Sequence, residues 1–171
     1  MTETFETNTT ETDPQILIDT FFKTFPEYTG DDEKKIRSAW SYLISKTGEM
    51  KRGCGKPYYL HPMRVACVLA ESHLDSDTVV AGFFHSILEV SPDYYADIES
   101  QFGQEVAKIC EGTAKITSLK IKSKTIQQAD SIRKMLFAMV DDIRVILVKL
   151  ADRLDRMRNL KSVSEEAQRA V

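Results

Sequence analysis

A few polar side chains stand out for the company they keep. In the stretch that begins near Asp141, Val145 and Val148 define an apolar stripe, and Asp152 continues it at the next three-then-four step. A carboxylate on an apolar face is costly unless a cation or hydrogen-bond donors meet it. Asp152 therefore has two readings, an ion pair with Arg144, Lys149 or Arg156, or a metal ligand. His85 and Glu89 are four apart and Ser86 and Glu89 three apart, so they share one side of a helix made apolar by Phe83, Phe84, Ile87 and Leu88. His85 is either a hydrogen-bonded core histidine or, with a glutamate one turn away, part of a site. His61, just before Pro62, sits where a loop meets a helix start, as a cap or as a side chain aimed inward. His73, near a helix C-terminus, reads as a solvated end cap.

The elements that must position these residues are helical. Pro14 after Asp13 opens a helix carrying Ile16, Leu17, Ile18, Phe21 and Phe22. Asp31 to Lys46 follows, with acidic residues in its first turn. Between Gly48 and Pro62 the pattern breaks into a loop with two glycines and the basic residues Lys51, Arg52 and Lys56. Helical spacing resumes over 62–72, 76–89, 93–102, 104–116 and 124–140, and Gly103 marks one helix end. A lysine-rich connector with Lys115, Lys120, Lys122 and Lys124 is expected to be mobile. The last helix runs from near Asp141 to about Leu160, and Ile143, Leu147, Leu150, Leu154 and Met157 form its expected buried stripe. No clean period-two alternation or fixed repeat is visible, so the fold class is all-α, with about eight helices.

Composition narrows the function. The 171 residues suit one domain, with Met1 to Asp13 as a disordered polar N-terminus and 14–171 as the folded unit. A formal charge of −3 with mixed signs does not suit a protein that holds nucleic acid by counterion release. Cys54, Cys67 and Cys110 lack metal-binding spacing and read as reduced thiols. With no signal peptide and no stretch approaching the roughly 20 apolar residues of a membrane span, a cytoplasmic protein is expected. The terminal run Ser164-Glu165-Glu166-Ala167-Gln168-Arg169-Ala170-Val171 reads as the opening of a helix, as in a piece of a longer protein.

Three blocks, Gly55-Lys56-Pro57-Tyr58-Tyr59-Leu60-His61-Pro62, Val80-Ala81-Gly82-Phe83-Phe84-His85-Ser86-Ile87-Leu88-Glu89-Val90 and Phe102-Gly103-Gln104-Glu105-Val106, occur in an order and spacing that resemble the hydrolase domain of the RelA/SpoT alarmone enzymes. Arg133 to Met139 and Asp142 to Leu154 are closer still, and the likeness spans about 36–160. The resemblance implies an all-helical HD-domain bundle that, in active members, removes pyrophosphate from the 3′ position of guanosine tetra- and pentaphosphate, (p)ppGpp, with Mn²⁺. It places the metal ligands on His61, His85, Ser86 and Asp152, and the acidic pair that assists water on Glu89 and Val90. It places nucleotide contacts on Lys51, Arg52, Lys56, Tyr58 and Asn159, with Arg52 stacking on guanine.

This chain departs from the family at several of these positions. Ser86 supplies no charge at neutral pH, and Val90 can neither accept a proton nor orient water. Arg156 and Asn159 stand where the family has Asn and Thr, and Asp155 where it has His. Three ligands suffice in many catalytic sites, so Mn²⁺ binding stays open, as does the absence of any cofactor. The first expectation is a hydrolase-inactive, structural and regulatory domain of the stringent response, beside a synthetase domain of a longer GTP pyrophosphokinase. Its partners are then that domain and weakly held (p)ppGpp. The second is a weak or altered metal-dependent phosphohydrolase using His61, His85, Asp152 and Glu89. Asp93 is a candidate to fill the place of Ser86. The third is a protein-interaction domain without a nucleotide role.

Overall fold

The computed structural model describes residues 11–122 and 142–159. Of the polar N-terminus expected over 1–13, residues 1–10 lie outside the described residues, as do the helical stretch expected over 124–140 and the terminal run from Ser164. The described residues form α1 (Pro14–Thr24), α2 (Asp31–Thr47), α3 (Leu60–Glu71), α4 (Ser76–Phe84), α5 (Ile87–Val90), α6 (Tyr94–Phe102), α7 (Gln104–Lys122) and α8 (Ile143–Arg158). Since α5 is a four-residue turn, seven helices of ordinary length carry the fold among the described residues. The class is all-α, and no described helix is long and apolar enough to cross a membrane.

Local chemistry explains the boundaries. The Asp13 carboxylate accepts from the Gln15 and Ile16 amides and Pro14 takes the first helical position, while Asp75 and Asp142 cap α4 and α8 in the same way. Gly103, with φ of 96°, ends α6. Lys115, Lys120 and Lys122, expected in a mobile connector, lie in α7 instead. Lysine is a good helix former, and Lys115 pairs with Glu111 one turn away at 2.8 Å. Lys124 lies outside the described residues.

Helix α4 is the centre of the bundle. It is apolar on nearly every side and buried from Thr78 through Phe84, packed by α2, α3 and α7. Phe83 meets Phe21 and Trp40, and Phe84 meets Tyr42 and Phe102, so aromatic edges tie α1, α2 and α6 to α4. Gly82 lets α3 approach closely, since a Cβ there would stand 2.6 Å from Leu69 Cδ1 and 3.4 Å from Ala66 Cα. That approach brings the start of α3, with His61, to the end of α4, with His85.

The continuous helix expected over 76–89 is corrected: it breaks at His85-Ser86, where Ser86 has φ of −124°. His85 Nδ1 donates to the Gly82 carbonyl at 2.8 Å, and Thr113 Oγ1 on α7 lies 3.0 Å from the His85 carbonyl oxygen. Both contacts compete with helix continuation. The stripe expected to be buried on α8 is also corrected. Ile143, Leu150 and Met157 are at least 60% exposed and Leu154 is 38% exposed, while Leu147 of that stripe is half-buried against the core. The helix buries Val145, Val148, Ala151, Asp152 and Asp155 instead, packing on α3 and α7. One helix presented two apolar stripes, and periodicity does not say which meets the core.

Candidate metal centre

Three helices converge on a buried polar cluster. His61 is in the first turn of α3, His85 at the C-terminal end of α4, and Asp152 in the middle of α8; all are at most 3% exposed. Their ligand atoms lie within 4.8 Å of one another. His61 Nε2 is 3.2 Å from His85 Nε2 and 3.0 Å from Asp152 Oδ1, and His85 Nε2 is 3.6 Å from the same oxygen.

Each ring is held by its other nitrogen. His85 Nδ1 donates to the Gly82 carbonyl, and His61 Nδ1 donates to Asp155 Oδ2 at 2.6 Å. With both Nδ1 atoms protonated, two Nε2 lone pairs and a carboxylate oxygen face one another, an arrangement that needs a positive centre. A proton on His61 Nε2 or a metal ion meets that need. The donor set of two imidazoles and one carboxylate suits a borderline divalent ion, and the Nδ1 contacts supply the outer support such ligands require. An ion held there would polarise a phosphate oxygen and acidify bound water.

Electrostatics agree with the geometry. Burial, reinforced by the neighbouring His61, pushes the His85 pKa down to about 3, so this ring is neutral and able to ligate near neutral pH. Burial would raise the Asp152 carboxyl, but the His61 hydrogen bond, the adjacent His85 and Arg156 outweigh it and hold the pKa well below the carboxylate range. Asp155 follows the same pattern, its burial outweighed by His61 and by Arg64, whose Nε and Nη2 donate at 2.7 and 3.1 Å.

The ion-pair reading of Asp152 also holds. Arg156 Nε donates to Oδ1 at 2.7 Å and Lys149 Nζ stands 3.6 Å from Oδ2. Arg144 is elsewhere, bound to Asp142 and Glu105. Ser86 Oγ is hydrogen bonded to the Tyr58 hydroxyl at 2.7 Å. Glu89 and Val90 are exposed on α5, and Asp93 is exposed beside Ser91, outside the ligand cluster. His73 is exposed after the end of α3, with Nδ1 3.2 Å from a Glu27 carboxylate oxygen and not on the last carbonyls of the helix among the hydrogen bonds described.

The residues expected to contact nucleotide divide into groups. The loop before α3 closes through an antiparallel bridge between Lys51 and Pro57, with Lys51 and Lys56 exposed. Arg52 and Tyr58 are half-buried near Arg156 and Asp152. Asn159 turns back on its own helix, its Nδ2 donating to the carbonyl and Oδ1 of Asp155 at 2.9 and 3.0 Å. Arg64 carries no expectation from the sequence, and Asp155 stands there only as a departure from the family. The available signal was that Arg64 lies three residues after His61, on the same face of α3.

A helical bundle that gathers histidines from two helices and an aspartate from a third into a buried cluster has the architecture of a metal-dependent HD domain. The HD domain family model matches residues 39–171, and the chain belongs to that family, in its RelA/SpoT branch. It is 40% identical over 158 residues to the bifunctional (p)ppGpp synthase/hydrolase SpoT of Escherichia coli K12, covering 91% of this chain and 22% of that protein. It is 41% identical to the guanosine-3′,5′-bis(diphosphate) 3′-pyrophosphohydrolase of Aquifex aeolicus, covering 81% of this chain and 19% of that protein. It is 39% identical to the GTP pyrophosphokinase rsh of Brucella ovis, covering 79% of this chain and 18% of that protein. The chain thus spans about a fifth of the length of these relatives.

Proposed function

We propose that this chain is an HD domain that has lost (p)ppGpp hydrolysis and serves as a structural and regulatory unit beside a synthetase domain, within a cytoplasmic GTP pyrophosphokinase of the stringent response. The observation that carries the reading is Ser86. At the position of the family's Asp ligand it brings no charge, and its Oγ is engaged by Tyr58. Val90, at the second position of the acidic pair, removes the partner of Glu89 in orienting water. The nucleotide role is reduced to Arg52, Tyr58 and the exposed Lys51 and Lys56. Arg52 is half-buried beside Arg156 and Asp152, and its guanidinium suits a phosphate or a guanine face. Asn159 is committed to Asp155.

A second reading is favoured by the surviving cluster itself: His61, His85 and Asp152 keep the geometry of a three-ligand site. On that reading the chain is a weak or altered Mn²⁺-dependent nucleotide phosphohydrolase with Glu89 as its remaining carboxylate. The purified chain, incubated with guanosine tetraphosphate and Mn²⁺, separates the two. No release of pyrophosphate is expected. Turnover at a modest fraction of an active relative's rate overturns the first reading. Ser86→Asp with Val90→Asp is expected to restore hydrolysis if those positions alone account for the silence.

A further inference from the structure

Resting on the reading of His61, His85 and Asp152 as a metal centre, Arg156 acquires a role of its own. Its Nε donates at 2.7 Å to Asp152 Oδ1, the oxygen that also faces both histidine Nε2 atoms. A carboxylate oxygen offers two lone-pair directions. Here the guanidinium takes one, and the other faces His61 Nε2, the side on which an ion would sit. We propose that Arg156 is a built-in counter-cation for Asp152 that competes with a divalent ion for the charge of the same oxygen, so that ion affinity rises when the arginine lets go.

The surroundings suit such an exchange. Arg156 and Asp152 are four apart on α8 and share a face. The Arg156 side chain is 40% exposed while Asp152 is 3% exposed, so the arginine stands at the rim and can swing into water without opening the core. Lys149 is the fixed cation of the pair: it is 15% exposed, and its Nζ is tied to Thr117 Oγ1 at 2.8 Å. Arg52 is close enough to repel Arg156, which favours release. Without an ion, the arginine spares the protein an uncompensated buried carboxylate. Whatever stabilises the ion-free form lowers ion affinity by the same factor, because the two states are linked.

The test titrates Mn²⁺ into the purified chain by calorimetry and by loss of the free-ion paramagnetic resonance signal, alongside Tm. The variants are Arg156→Gln, Arg156→Lys, and Arg158→Gln as a control for loss of one charge on the same helix. Arg156→Gln is expected to lower the ion-free Tm yet bind Mn²⁺ about tenfold tighter or more, with a larger Mn²⁺-induced rise in Tm. Arg156→Lys should fall between it and the wild type, and carries the test if the glutamine variant does not fold. Equal affinity for wild type and Arg156 variants, or an equal gain in Arg158→Gln, overturns the competition while leaving the metal centre standing. No Mn²⁺ binding by any of them overturns the metal centre and the competition together.

Discussion

Asp155 Oδ2 lies 2.6 Å from His61 Nδ1, and the same carboxylate takes two guanidinium hydrogens from Arg64. The residue that the resemblance counts as a departure from the family is therefore a support for the first histidine of the cluster. Asp155 fixes which His61 nitrogen carries the proton and leaves Nε2 directed at His85 and Asp152.

Replacing Asp155 by Ala leaves a buried imidazole N–H unmet and Arg64 without its partner. The expected loss is about 3 kcal/mol of stability, with Mn²⁺ affinity lowered roughly 10- to 100-fold. Asp155→Asn, which keeps an acceptor oxygen, should recover part of both. Urea unfolding and Mn²⁺ calorimetry check this. An alanine variant that binds Mn²⁺ as the wild type does would remove Asp155 from the site.

Acid should destabilise the metal-free protein well above the carboxylate range. In the unfolded chain His85 titrates near 6.5, while in the fold burial holds its pKa at about 3. Below pH 6.5 the unfolded chain binds a proton that the native ring refuses. The stabilisation tied to a neutral His85 is therefore complete above that pH. It is lost at about 1.4 kcal/mol per pH unit as pH falls toward 3. Asp155, whose pKa is depressed, adds a loss of the same sign below its unfolded value of 3.8. Urea midpoints from pH 8 to pH 4 in EDTA measure the slope, which His85→Gln should flatten. Constant stability across that range would contradict a neutral buried His85.

The cluster was legible where chemistry broke a pattern: an aspartate on an apolar stripe, a histidine in an apolar helix, a histidine at a loop end. The pairing of its supports was not. Asp155 meets His61 across 94 positions of chain and Arg64 meets Asp155 across 91, so only the packing of α3 on α8 joins them. The break at His85-Ser86 was equally hidden, because Phe83, Phe84, Ile87 and Leu88 keep helical spacing through it. The contact between Thr113 and the His85 carbonyl comes from a helix 28 residues away.

Helix α8 makes the limit of periodicity testable. Leu150 and Met157, expected in the core, are 60% exposed, while Val148 is fully buried. Leu150→Lys and Met157→Lys should each change stability by no more than about 0.5 kcal/mol. Val148→Ala should cost about 2 kcal/mol, since it removes buried methyl groups and leaves a void. Denaturant midpoints of the three variants decide between the stripes, and the reverse ranking would restore the sequence expectation.

The seat of α8 on α7 depends on Gly112, where a Cβ would stand 2.8 and 3.0 Å from the two methyl groups of Val145. Two effects oppose each other in Gly112→Ala. Helix propensity favours alanine by about 1 kcal/mol, whereas overpacking costs about 1–3 kcal/mol. Val145 is β-branched and stiff at χ1 in a helix, so it cannot turn aside and the backbones must part. The overpacking cost should win, with a net loss of about 1 kcal/mol. Parting the helices also moves Asp152 from the histidines, so Mn²⁺ affinity should fall with it. Gly112→Ala with Val145→Ala removes the clash, and in a double-mutant cycle the pair should be more stable than the sum of the single changes. Strict additivity would show that α7 and α8 do not touch at this point.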